Sequence, residues 1–278
     1  MRRFFSVGMA ALLAAMLLPL SCCKKQECLK VMSYNVRNSS ASDGENAWEL
    51  RRPATLAMLE AVQPDIAGLQ EVLPDQEEYI ASALPQYGVV GIGRNDGVEG
   101  ERMSVLYNKD VLQMQEWGTW WLSQTPDVPS VGWDAKYPRT ATWALMEDLR
   151  CGRQFYFVNT HLDHKGADAR REGLALVVRK IREMNPDIPL VLVGDFNVEP
   201  GDPALTALEG VMTSARESAA VTEATPSFNG YKPQPIKTID YIYYSQFSAA
   251  RDFRVVTESF LDIPFISDHY PIVSTLVY

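Results

Sequence analysis

The segment Leu190-Val191-Leu192-Val193 constrains the fold more than any other. It carries no polar residue, is too short for a helix, and runs straight into Gly194-Asp195-Phe196-Asn197. A strand with apolar side chains on both faces must be covered on both faces. A layer of helix or sheet therefore lies on each side of it. One candidate layer precedes it. Between Ala167 and Met184, Leu174, Val177, Val178 and Ile181 recur at i, i+3, i+4 and i+7 and form a single apolar stripe.

Strand patterns recur along the rest of the chain: Leu29 to Val36, Ile66 to Gln70, Tyr87 to Gly93, Met103 to Tyr107, Leu112 to Leu122, Thr140 to Leu149, Gln154 to Asn159, Ile239 to Ser245, Phe253 to Thr257 and Ile272 to Val277. Arg51 to Val62 and Gln76 to Leu84 read as helices. Many strands with few helices predict an α/β class, a β-rich sandwich with helices outside. No repeat or second linker divides it, so one domain is expected over residues 29–278.

The first residues read as a leader. Arg2 and Arg3 precede the apolar stretch Ala10 to Leu20, which is short for a bilayer span. Leu20-Ser21-Cys22-Cys23 resembles a bacterial lipoprotein cleavage site. On that resemblance residues 1–21 are a signal peptide, Cys22 is lipidated and residues 22–28 are a tether. Pro19 stands where Leu is favoured, so Cys23 and a plain secretory signal stay open. The expectation is a monomeric domain exported and lipid-anchored to the cell envelope, touching membrane through the anchor only. Cys28 and Cys151 lack metal-site spacing and read as isolated thiols.

The formal charge is −9, and loss of Arg2 and Arg3 with the leader makes it −11. Such a surface repels polyanions at long range. A nucleic-acid partner gripped through many phosphates is therefore disfavoured. A small phosphorylated substrate needs only a local cationic pocket.

The chain has only 3 histidines. His161 and His164 lie in Asn159-Thr160-His161-Leu162-Asp163-His164, and His269 lies in Ser267-Asp268-His269. Side-chain alternation from Phe155 to Asp163 puts Phe155, Phe157, Asn159, His161 and Asp163 on one face, apolar groups giving way to polar ones. Asp195 and Asn197 share a face just past the buried run. A rigid core aims such strand-end groups at solvent. Glu71 ends another strand, where a lone carboxylate is costly unless paired. A hard divalent cation is its natural partner.

Taken in order, Ser33-Tyr34-Asn35-Val36, Leu69-Gln70-Glu71, Asn159-Thr160-His161, Gly194-Asp195-Phe196-Asn197, Ile239-Asp240-Tyr241 and Ser267-Asp268-His269 resemble the endonuclease/exonuclease/phosphatase superfamily, the deoxyribonuclease I-like group. The resemblance spans nearly the whole chain after the leader. It implies a four-layer α/β/β/α sandwich and a phosphoester hydrolase that uses Mg²⁺ or Mn²⁺ and direct water attack. It implies a metal held by Glu71, with Asn35 and Asp268 beside it. Asp195 would activate water, and Asn197 would hold that water or a phosphoryl oxygen. His161 and His269, both protonated, would stabilise the developing charge, oriented by Glu101 and Asp240 respectively.

Arg139 is a candidate phosphate clamp, since guanidinium forks match phosphate oxygens. Tyr107, His164 and Trp133 are candidates for the substrate rim. Asp202 before Pro203 reads as a helix N-cap. The expected substrate is a small or lipid-borne phosphoester. A secreted nuclease acting on DNA or RNA is the alternative, and a catalytically silent surface binding lipoprotein is the alternative of another class.

Overall fold

A computed structural model describes residues 27–278, so the leader, Cys22 and most of the expected tether lie outside the described residues. The strands are β1 (Cys28–Asn35), β2 (Ile66–Val72), β3 (Tyr87–Val90), β4 (Arg102–Asn108), β5 (Leu112–Trp121), β6 (Thr140–Asp148), β7 (Arg153–His161), β8 (Leu190–Asp195), β9 (Thr213–Ser214), β10 (Val221–Thr222), β11 (Asp240–Ser245), β12 (Ala249–Val255) and β13 (Ile272–Val277). The helices are α1 (Trp48–Val62), α2 (Pro74–Ala83), α3 (Ala167–Glu183) and the one-turn α4 (Ala215–Ser218). Cys28, expected to close the tether, instead pairs with Val277 at the start of β1.

The strands form two sheets, ordered β10-β12-β13-β1-β2-β4-β3 and β5-β6-β7-β8-β11-β9. Their inner faces meet in one cluster, where Val31, Ile66 and Val105 pack with Phe155, Phe157, Val191, Val193 and Ile242. The outer face of the first sheet packs Met32, Tyr34 and Leu69 against Met58 and Leu59 of α1 and Ile80 of α2. The outer face of the second packs Val158, Leu190 and Leu192 against Leu174, Val177 and Ile181 of α3. The result is a four-layer α/β/β/α sandwich. The apolar run in β8 is accounted for: Val191 and Val193 face the other sheet while Leu190 and Leu192 face α3.

Polar groups tie the sheets together near one edge. Asn159 Nδ2 donates to the carbonyls of Leu69 and Ser104, both at 2.9 Å, and Gln70 Nε2 donates to Asn159 Oδ1 at 2.7 Å. Gly68 permits the close approach, because a Cβ there would run into Val193 and lie 2.7 Å from Asn159 Cγ. Asp202 Oδ1 accepts from Ala204 N at 2.9 Å and caps the 3₁₀ turn Pro203–Leu208.

Strand direction decides which residues can share a site. β1 runs parallel to β2, and β7 parallel to β8, so Asn35, Glu71, His161 and Asp195 all come to one edge. β4 runs antiparallel to β2 and places Tyr107 opposite Ile66, at the far edge. Tyr107 packs against the inter-sheet core there. It is not a substrate-rim residue.

Candidate active site

Glu71 is aimed by a local break in its strand. The β2–β4 register shifts between Leu69 and Val72, and Glu71 adopts φ 61°. A non-glycine residue in the left-handed region stores strain of about 1 kcal/mol or more. The carboxylate is then gripped by donors: Asn35 Nδ2 at 3.0 Å, Asn38 N at 3.2 Å and Asn38 Nδ2 at 2.9 Å. Burial opposes its ionisation, yet these bonds and the His269 charge hold it below the usual carboxylate range.

Asn35 joins this carboxylate to a second one. Its Nδ2 also donates to Asp195 Oδ2 at 3.1 Å, while its Oδ1 accepts from Arg37 N at 2.9 Å. Asn35 was expected beside the metal, and only a carboxamide oxygen can ligate one. That oxygen is taken by the backbone, and the amide nitrogen faces the two carboxylates instead.

Asp195 stands at the centre of the site. Its Oδ1 accepts from Asn197 N at 2.9 Å, and its Oδ2 lies 3.4 Å from His161 Nε2 and 3.6 Å from His269 Nε2. Burial, reinforced by Asp240 but opposed by His269, pushes it up to about 7. His269 Nδ1 lies 2.9 Å from Asp240 Oδ2. Burial works against the imidazolium, but Asp240 and Asp195 outweigh it and raise His269 to about 10. His269 therefore carries its proton at neutral pH.

His161 differs from its expected state. Burial, Arg139 and Arg94 hold its basicity well below the ordinary value. Asn197 Nδ2, with Asn197 at φ 54°, lies 3.0 Å from His161 Nε2 and also donates to the Leu162 carbonyl at 3.0 Å. The lowered basicity favours the neutral ring, whose Nε2 then accepts from Asn197 Nδ2 while Nδ1 carries the proton. Glu101, expected to orient it, forms an ion pair with Arg94 Nη1 at 2.5 Å. His161 Nδ1 has no partner among the described residues.

Arg139 is buried beside His161, 3.3 Å from Asp163 Oδ2 and 2.9 Å from His164 Nδ1. His164 is exposed and stacks on Tyr137. Trp133, expected to line the groove, packs against the cluster beneath α3. Arg37, Asn38, Arg51 and Arg94 were not singled out from the sequence. Arg37 and Asn38 follow Asn35 directly, and that adjacency was their only signal. Arg51 is fully buried and donates to the carbonyls of Val36, Arg37, Asn46 and Ile266, tying together the loops that carry the site.

Two places could take a cation. Asp268 lies in the electrostatic range of Glu71; burial raises it, and Glu71 adds to that rise while His269 opposes it. Its Oδ2 is 3.8 Å from Arg37 Nη1. Carboxylates offer only oxygen, so Glu71 and Asp268 suit a hard divalent ion such as Mg²⁺ or Mn²⁺. Asp195, Asp240 and His269 offer donor atoms within 4.8 Å of one another. There the His269 proton already balances the carboxylates, and a cation would have to displace it.

A sandwich of this topology, with carboxylates, imidazoles and carboxamides gathered at one edge, is of the deoxyribonuclease I-like class. The sequence profile described as Endonuclease/Exonuclease/phosphatase family matches residues 32–269, and the chain belongs to that family. Members of the family are hydrolases acting on phosphoesters. A family protein from Bacteroides thetaiotaomicron is 33% identical, with TM-score 0.87, covering 91% of this chain and 99% of that one. A mannosyl-6-phosphatase from the same organism is 34% identical, with TM-score 0.86, covering 90% of this chain and 100% of that one. Nocturnin of Drosophila melanogaster is 27% identical over 179 residues, 59% of this chain but 26% of its own length.

Proposed function

We propose that this protein is a divalent-metal-dependent phosphoester hydrolase that attacks its substrate directly with water. The observation that carries this reading is the surrounding of Asp195: His161 Nε2 at 3.4 Å, His269 Nε2 at 3.6 Å, the carboxamide of Asn35 and the backbone N–H of Asn197, all converging on one buried carboxylate. Ionised Asp195 takes the proton of the attacking water. His269, kept charged by Asp240, donates to a non-bridging phosphoryl oxygen as charge develops there. The carboxamide oxygen of Asn197 accepts from the attacking water, and the Asn197 backbone N–H keeps Asp195 pointed at the reaction. Glu71 and Asp268 are the residues that would hold Mg²⁺ or Mn²⁺, with Asn35 positioning Glu71. The bound ion would supply charge neutralisation at the phosphate.

The substrate on this reading is a small or lipid-borne phosphoester. The acidic balance of the chain supports it, as does the likeness to a mannosyl-6-phosphatase. The purified protein with Mg²⁺ or Mn²⁺ would be offered sugar phosphates, inositol phosphates, sphingomyelin, duplex DNA and RNA. Sugar or inositol phosphates are expected to be turned over fastest; nucleic acid turned over fastest would replace this reading with the nuclease. The protein is further proposed to be an exported monomer anchored through Cys22. A Cys22→Ala variant that stayed membrane-associated would contradict that anchor.

A further inference from the structure

Arg94 has no part in the mechanism above, and Arg139 none beyond its place beside His161. Both are buried, with exposures of 8% and 4%. Each has a carboxylate partner, Glu101 for Arg94 and Asp163 for Arg139. Each also keeps a buried donor that finds no acceptor among the described residues, Nε of Arg94 and Nη1 of Arg139. An unsatisfied buried donor costs about 1–3 kcal/mol. Two of them on charged groups at one site point to a ligand that brings the acceptors.

The two guanidiniums belong to one structure. Arg94 Cζ sits 5.4 Å from the Tyr137 ring centroid, Tyr137 stacks on His164 at 6.2 Å, and His164 Nδ1 is 2.9 Å from Arg139 Nη2. Arg94 and Arg139 thus bracket a Tyr137–His164 stack. Arg139 holds Asp163 and His164, which stand two and three residues after His161, and both guanidiniums lower the basicity of that imidazole.

We propose that Arg94 and Arg139 receive the second negative charge of a phosphomonoester and make the site selective for monoesters over diesters. This rests on the phosphoester-hydrolase reading. A phosphomonoester is largely dianionic at neutral pH, because its second ionisation falls near pH 6. It offers three terminal oxygens to guanidinium forks. A diester offers two and a single charge, and its second substituent occupies the place of the third oxygen. Bound here, a diester would leave one of the two buried donors without an acceptor.

The test uses the full-length protein with Mg²⁺. Turnover of 4-nitrophenyl phosphate and bis(4-nitrophenyl) phosphate gives the monoester-to-diester ratio of kcat/KM. Calorimetry gives the binding of inorganic phosphate and of dimethyl phosphate. Variants are Arg94→Gln, Arg139→Gln and the double Arg94→Gln/Glu101→Gln, which removes an ion pair together and leaves no lone buried charge. The ratio is expected to fall roughly 10- to 100-fold in each, the scale of a lost charge-assisted hydrogen bond, with inorganic phosphate binding weakened alongside. A ratio within twofold of wild type, or a wild-type preference for the diester, overturns the proposal while the hydrolase reading stands. Wild-type protein that turns over neither ester, yet binds inorganic phosphate through Arg94 and Arg139, overturns the hydrolase reading and supports the receiver.

Discussion

Asp195 and His269 titrate as neighbours, and their directions set the pH behaviour. On the proposed mechanism the active form has Asp195 ionised and His269 protonated. Asp195 is raised to about 7 by burial, so the active form accumulates as pH rises through about 7. His269 is raised to about 10, against burial, by Asp240 and Asp195, so the active form is lost as pH rises through about 10. The kcat/KM profile is expected to be a bell with limbs near these values, belonging to the pair rather than to either group. Asp240→Asn removes the larger charge favouring the imidazolium and should shift the upper limb down. An upper limb that stays in place would remove Asp240 from its role. Asp195→Asn should lower kcat by about 10²–10⁴, the usual worth of a general base. A full-rate Asp195→Asn variant would contradict its assignment.

At the scale of elements, the site depends on strand ends locked by buried polar ties. Arg51 in α1 holds four carbonyls from the surrounding loops, so Arg51→Met is expected to destabilise the protein by about 3 kcal/mol or more in urea unfolding. A change below about 1 kcal/mol would show that water replaces it readily. Gly68→Val should be as costly, since its side chain would enter space held by Val193 and Asn159. The stripe in α3 was legible because it repeats often enough to show its period, and the run Leu190–Val193 because it is unbroken and too short for a helix. The strands Thr213–Ser214 and Val221–Thr222 are two residues each and have no period to show. The edge gathering Asn35, Glu71, His161 and Asp195 was legible because each lies at or next to the end of a strand. The position of Tyr107 was not, because it depends on β4 running antiparallel to β2. The partner of Glu101 was not legible either: Arg94 lies across a loop whose closure no local pattern announces.

Across the whole molecule, a net charge of −9 contrasts with a local group of cations, Arg94 and Arg139 acting on His161 and Lys136 and Lys165 acting on His164. Long-range repulsion with short-range attraction suits a compact anion better than a polyanion. The sandwich supplies rigidity, and the edge where its sheets meet supplies both the carboxylates for a cation and the groups that handle water. On the reading proposed above, these act together as a metal-dependent phosphoester hydrolase. The measurement that bears on it most directly is turnover of 4-nitrophenyl phosphate by the purified protein before chelation, after thorough chelation, and after Mg²⁺ or Mn²⁺ is restored, with Glu71→Ala beside the wild type. Loss on chelation, recovery with the metal and near-silence of Glu71→Ala are expected; a rate that survives both chelation and the substitution would contradict the claim.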